Sequence, residues 1–299
     1  MTHRGGRNVL DPRRPYGWFA EEEPDGLGGL VTVSTVLLTN RECPWQCVMC
    51  DLWRNTLEET VPEDAIAEQL RWALPRLPPA RRVKLYNAGS FFDPKAIPPA
   101  EHAPIAELLR GFERVIVECH PALVGPSAFD FRDRLGVELE VALGLETAHP
   151  DVLPRLGKGM TLEQFRRAAR LLTGEGIGVR AFVLVGLPYL TREEALEWAV
   201  RSADYALDCG AAVVSLIPLR DGEPALAALP VARPDLRMLE EALEGALAAA
   251  RPGMVVLADL WDLERLPSCA SCALPRRARI GAMNRAQRTL PGISCAGCA

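Results

Sequence analysis

No stretch of this sequence is both long and free of charge, so no membrane-spanning helix is expected. Residues 1–29 are rich in Arg, Pro, Gly and Glu and contain no apolar core segment. They are expected to form an N-terminal arm and not a signal peptide. Neither sign of charge dominates. The 34 Lys and Arg against 39 Asp and Glu leave a net charge of −5, which argues against a chain that binds nucleic acid over its whole surface. No solenoid-type repeat is present. With no secretory signal, the nine cysteines, an odd number, read as metal ligands in a reducing cytoplasm. A cytoplasmic location without a membrane partner is therefore expected. Acids are missing after Glu264, where Arg265, Arg276, Arg277, Arg279, Arg285 and Arg288 stand without one. That run reads equally as a solvated basic tail or a nucleic-acid contact surface.

What is present is a regular alternation. Apolar β-type runs at 31–38, 83–86, 114–118, 137–143, 178–185 and 212–217, with a further candidate at 254–258, are separated by helical patterns. Thr60 with Glu63, Thr161 with Gln164, and Thr191 with Glu194 have capping-box spacing and predict helix starts. Further helices are expected at about 103–110 and 235–251. Six strands alternating with helices imply a parallel sheet. The loops after the strands carry the chemically distinctive residues, and in β/α barrels such loops converge on one mouth. An open six-unit barrel is expected, with a doubly wound sheet as the alternative.

The loop after the first strand reads Cys43-Pro44-Trp45-Gln46-Cys47-Val48-Met49-Cys50, spaced C-x3-C-x2-C. Three thiolates from one loop can hold three irons of a cuboidal cluster, which four cysteines usually hold. No fourth cysteine occurs between Asp51 and Arg114. One iron would then be left to bind something else. A zinc loop completed by a remote ligand is the other reading.

This spacing resembles the cluster motif of the radical S-adenosylmethionine (radical SAM) enzymes, with Met49 where an aromatic residue is commonest. The resemblance implies a 4Fe–4S cluster on Cys43, Cys47 and Cys50, with SAM chelated to the fourth iron. An electron would cleave SAM to a 5′-deoxyadenosyl radical, supplied from outside by a flavodoxin or ferredoxin. It also implies the fold class: α/β, a partial (β/α)6 TIM-like radical SAM barrel over 30–258. The remaining residues, 259–299, are expected to form a small four-Cys zinc-knuckle module.

Asn87-Ala88-Gly89-Ser90 occupies the place of the family's SAM-amine motif. Read physically, Gly89 permits close backbone approach and Ser90 offers a donor; an ordinary βα turn is the alternative. Glu146 ends an apolar strand, where a buried carboxylate needs a partner. Gly144-Leu145-Glu146-Thr147 followed by Gly157-Lys158-Gly159 resembles a block of the Elongator catalytic subunit and tRNA methylthiotransferase branch, which implies that Glu146 and Lys158 contact SAM. Gly186-Leu187-Pro188 with Thr191 resembles a fifth-strand motif of that branch, but Phe182 replaces the ribose-binding Asp. Glu118 and Arg180 are the candidate substitutes. Cys119 and Cys209 read as packing residues, and His120 as a structural residue in the mouth.

A longer resemblance, over 31–219, is to the radical SAM subunit of archaeosine synthase. It rests on Tyr86 to Asp93, on Val117-Glu118-Cys119-His120-Pro121, and on Glu146 with Lys158-Gly159. It implies a related radical reaction on a deazaguanine-type tRNA nucleoside, with lyase-type carbon–nitrogen cleavage. A small-molecule or protein substrate is the second reading, and a non-catalytic, zinc-dependent nucleic-acid-binding protein the third.

Cys269-x2-Cys272 and Cys295-x2-Cys298 form two C-x2-C pairs, the pattern of a closed four-thiolate zinc site. A second iron–sulfur cluster would need the same ligands.

Overall fold

The computed structural model describes residues 6–220, 226, 229–230 and 232–298. The first five residues of the expected arm and Ala299 of the expected module lie outside these, as does part of the segment after the sixth expected strand. One eight-stranded sheet organises the chain: β1 (Gly17–Pro24), β2 (Leu30–Leu37), β3 (Arg82–Tyr86), β4 (Arg114–Cys119), β5 (Glu138–Glu146), β6 (Gly178–Val185), β7 (Val213–Pro218) and β8 (Val255–Ala258). The strands lie in sequence order. β1 runs antiparallel to β2, and every later pairing is parallel. A doubly wound sheet would reverse its order at a switch point; this one does not. It curls into a nearly closed barrel, two staves larger than the six-unit expectation. The arm supplies β1, and 254–258 supplies β8.

Helices α1 (Ala65–Ala73), α2 (His102–Leu109), α3 (Pro126–Leu135), the short α4 (Val152–Arg155), α5 (Leu162–Gly174), α6 (Arg192–Asp208) and α7 (Leu236–Ala249) connect the parallel strands. Helix α8 (Ala273–Ala286) follows β8. No helix among the described residues is long and apolar enough to cross a membrane. The capping boxes at Thr161 and Thr191 form as the sequence predicts, with both reciprocal hydrogen bonds present. The one at Thr60 does not. Pro62 interrupts it, Ala65 N–H turns back to the Pro62 carbonyl (3.2 Å), and α1 starts after Asp64 in the left-handed region. An α1 amide finds its partner in the next unit instead, where Glu101 Oε2 accepts the Ala67 N–H (3.1 Å).

Two environments flank the sheet. Beneath the helices lies the large apolar core, including Val36, Leu85, Val117, Leu143, Val183 and Leu216. The inner face instead carries a small apolar cluster around Ile116 and Ala142, together with an ion network. Arg180 clasps Glu23 with two bonds of 2.8 Å and reaches Glu140 Oε1 at 2.7 Å. Lys84 bonds Glu21 (2.6 Å) and Glu23 (2.5 Å).

Candidate functional site

Cys43, Cys47 and Cys50 lie in the loop that leaves β2 and line a cavity of about 790 Å³. Hydrogen bonds tie this loop to its neighbours: Val48 N–H donates to the Leu156 carbonyl (2.9 Å) and Glu42 N–H to the Leu57 carbonyl (2.9 Å). The segment after α4 packs directly upon it. Gly159 has φ +68°, and a Cβ there would come within 2.9 Å of the Trp45 ring, so both conformation and space demand glycine. Trp45 in turn stacks on His120, with centroids 3.5 Å apart and planes 9° from parallel. His120 Nδ1 accepts the Ala122 N–H (3.1 Å), so Nε2 carries the proton and donates to the Lys158 carbonyl (2.9 Å). Burial, helped by nearby Lys158, pushes the imidazole pKa down to about 4, which keeps it neutral. His120 thus braces the cysteine loop and the glycine-rich segment against each other.

A bulge between Gly144 and Glu146, with Glu146 at φ +64°, breaks the regular register of β5 with β6. Glu146 and Lys158 both line the cavity, and they meet each other: Lys158 Nζ lies 2.7 Å from Glu146 Oε1. Gly144 makes room for this pair, since a Cβ there would collide with both side-chain ends. Burial disfavours the Lys158 ammonium, but Glu146, Cys47 and Cys43 outweigh it and hold the pKa above the ordinary lysine value. Burial also pushes the thiols up, Cys47 to about 11 and Cys50 to about 12. Metal loading at these thiols must therefore release protons.

Glu118 lines the same cavity and accepts the Asn87 N–H (3.1 Å). Burial, only partly offset by Asn87 and Lys158, pushes its pKa up to about 8. The carboxyl is thus mostly protonated at neutral pH and can act as a donor. An unfolded glutamate titrates near 4.3. Between that value and 8 the unfolded chain has lost a proton that the folded chain keeps. Stability is therefore greatest below the unfolded pKa and falls as pH rises to about 8. Glu118→Gln should remove this slope. Its melting temperature relative to the natural protein is expected to be higher at pH 8.5 than at pH 5.5; an offset that does not change with pH would refute the assignment.

The other sequence-derived candidates separate. Gly89 lines the cavity against Cys43, where a Cβ on the glycine would lie 3.5 Å from the Cys43 Cβ. Asn87 is fully buried, and its side-chain amide has no hydrogen-bond partner among the described residues. Ser90 is held by the scaffold: its Oγ accepts the His120 N–H (2.6 Å), joining the loops after β3 and β4. Arg180 is engaged by Glu23 and Glu140. Phe182 lines the cavity edge-on to Tyr86, with centroids 5.7 Å apart. Cys119 and Cys209 are buried, as expected of packing residues. Sequence reasoning missed Glu21 and Glu23 of β1, both of which line the cavity. The available signal was the pair of basic residues, Lys84 and Arg180, set within apolar strands and in need of acidic partners.

At the other end of the chain, Cys269, Cys272, Cys295 and Cys298 converge, and their sulfurs all lie within 4.8 Å of one another. Cys269–Cys295 and Cys272–Cys298 are 3.8 and 3.5 Å apart. A tetrahedral ion with metal–sulfur bonds of about 2.3 Å sets sulfurs about 3.8 Å apart. Among the described residues no other such group is found. The basic run beside the C-terminal site is not uniformly solvated. Arg276 and Arg279 are buried against Glu240, and Arg279 also reaches Glu244 (2.5 Å), whereas Arg265, Arg285 and Arg288 are exposed.

Comparison with known proteins agrees with this geometry. An uncharacterised protein of Methanocaldococcus jannaschii is 23% identical over 231 residues, 72% of this chain and 63% of that protein. Archaeosine synthase subunit beta of Thermococcus kodakarensis is 25% identical over 197 residues, 62% of this chain and 61% of that one. In both cases less than two thirds of the relative's length is spanned. Among solved structures, methylornithine synthase superposes with a TM-score of 0.55 at 15% identity, covering 84% of this chain and 69% of that one. An Elp3 of Methanocaldococcus infernus gives 0.50 at 14% identity, covering 64% and 51%. At such identities the likeness speaks for the fold alone. The model of the radical SAM superfamily matches residues 37–201, more than half of the chain, and with the cysteine loop at the mouth of its barrel this protein belongs to that superfamily.

Proposed function

We propose that Cys43, Cys47 and Cys50 hold a 4Fe–4S cluster and that Gly89, Glu118, Glu146 and Lys158 face SAM beside it, with Asn87 supporting the same loop. Membership of the superfamily implies both groups, and the chain's residues fit them: three half-buried thiols, an unpartnered buried amide at Asn87, and a cavity large enough for a nucleoside-sized ligand. When bound, the cluster supplies the electron that splits SAM into methionine and a 5′-deoxyadenosyl radical. The protein's part is to bind and orient. The Glu146–Lys158 pair sets one fixed anion and one fixed cation beside the loop, a match for the charged amino and carboxylate groups of SAM. Glu118 offers a protonated oxygen, and the Trp45–His120 stack keeps the loop in place. The observation that carries this reading is the convergence of the three thiols and this ion pair on one cavity.

For the substrate we favour a deazaguanine-type nucleoside of tRNA, with carbon–nitrogen cleavage, and a flavodoxin or ferredoxin as electron donor. Two relatives named archaeosine synthase subunit beta support that choice, as do the three exposed arginines of the C-terminal segment. We assign the C-terminal thiols to a single zinc ion, because sulfurs this close leave no room for a second cluster. Nothing in the fold or the family match supports the non-catalytic reading.

Two measurements test the proposal. Anaerobic reconstitution should yield about four iron and four sulfide per chain beside one zinc, with SAM-dependent 5′-deoxyadenosine formation. Nucleoside mass spectrometry of tRNA from a deletion strain should show a modification lost or its precursor accumulated. An unchanged profile would overturn the tRNA assignment in favour of a small-molecule or protein substrate.

A further inference from the structure

β8 is the last strand of the sheet, and the backbone groups of Val256 and Ala258 point to its outer edge. An unpaired edge beside a cavity costs stability and invites foreign strands. Here two side-chain amides on α8 and its C-terminal cap take the place of a ninth strand. Asn284 accepts the Ala258 N–H and donates to the Ala258 carbonyl, both at 2.8 Å. Gln287 accepts the Val256 N–H and donates to the Val256 carbonyl, both at 2.9 Å. Each amide thus reproduces the donor and acceptor of a neighbouring peptide unit. Asn284 also lines the cavity, next to Leu257, Ala258 and Asp259. Across the remaining gap, the Phe19 ring of β1 lies 4.8 Å from that of Trp261.

The four thiols bracket this helix, with Cys269 and Cys272 just before α8 and Cys295 and Cys298 after it. One ion would therefore tie both ends of the segment that seals the edge. Arg276 extends the link. Its Nε lies 3.2 Å from Cys272 Sγ while its guanidinium pairs with Glu240 on α7. We propose that the ion at Cys269, Cys272, Cys295 and Cys298 is a latch for the barrel edge: it holds α8 where Asn284 and Gln287 pair with β8, and its loss opens the cavity wall there. This rests on the single-ion reading above. It gives the C-terminal segment a task within the barrel, apart from any contact with substrate.

Hydrogen exchange of the full-length chain, read by mass spectrometry together with metal content, tests both layers separately. Asn284→Leu/Gln287→Leu should keep one zinc per chain yet exchange the Val256 and Ala258 amides at least about tenfold faster, with β4 and β5 unchanged. Cys295→Ser should lose the zinc and show the same local acceleration. If Cys295→Ser loses zinc and β8 exchanges as in the natural protein, the latch is refuted and the zinc site stands. Unchanged β8 exchange in the double variant refutes the edge seal. Iron and sulfide retained in Cys43→Ala/Cys47→Ala/Cys50→Ala would overturn the single-ion reading itself. Should Cys295→Ser unfold throughout, β8 exchange in the metal-bearing double variant decides the seal. Removing zinc from the natural chain with a chelator then decides the latch, on the same two outcomes.

Discussion

Cys47→Ala protein, reconstituted anaerobically with iron and sulfide and then reduced, is expected to form no 5′-deoxyadenosine from SAM above background, a loss of at least about a hundredfold. The reason is the economy of the loop. In the proposed assignment each of the three thiols holds one iron, and the cavity groups Glu146, Lys158 and Glu118 are already held by each other or by backbone. Cys43→Ala and Cys50→Ala should behave alike, since all three thiols line one cavity. Cys209→Ala is the control, because that thiol is buried at the end of α6, away from the cavity. It should keep both cluster absorbance and turnover. Retained 5′-deoxyadenosine formation in any of the three loop variants would refute the assignment of the thiols.

Arg180→Met should destabilise the fold by about 3–5 kcal/mol, measured by denaturant unfolding of the metal-loaded protein at neutral pH. Arg180 is 2% exposed, and its partners Glu140 and Glu23 are 2% and 5% exposed. Removing the guanidinium leaves two carboxylates in the barrel, balanced by Lys84 and Arg114 and more distantly by Arg82. The pH dependence gives an independent signature. Burial alone would raise the Glu23 pKa, but Arg180 and Lys84 overcome it and hold the carboxyl well below the usual range. A depressed carboxylate contributes stability that is present above its unfolded pKa, about 4.3, and is lost as pH falls toward the folded value. In Arg180→Met that support is reduced, and burial favours the protonated form of the Glu23 carboxyl. The deficit relative to the natural protein should therefore be smaller at pH 5 than at pH 8. A deficit below about 1 kcal/mol, or one that does not shrink on acidification, would mean the network is not a source of stability.

Particular residues show how far the sequence could be read. The cysteine loop was legible because its three thiols are close together in the chain, and no distant contact is needed to bring them together. Glu146 was legible because an acid at the end of an apolar strand is conspicuous; that its partner is Lys158 needed the bulge in β5. The box at Thr60 had the right spacing and failed because Pro62 redirected the chain, while Glu101 took over an α1 amide from another unit. Ser90 and Arg180 had the right chemistry for a ligand, but both are engaged inside the protein. β1 was not legible within the arm, since Glu21, Glu22 and Glu23 in a row carry no apolar period.

Strand and helix alternation, the loop trio and the paired C-x2-C motifs follow from the sequence by itself, because each depends on neighbours a few residues apart. Backbone periodicity and short ligand spacings survive in any fold that forms at all. The tertiary structure alone decided which charges neutralise which, how His120 is protonated, and what seals the edge of β8. Those outcomes depend on strand register and on groups far apart in the chain, such as Glu23 with Arg180 or Gln287 with Val256. In the low-dielectric interior, such pairing determines whether a buried polar group costs stability or contributes to it.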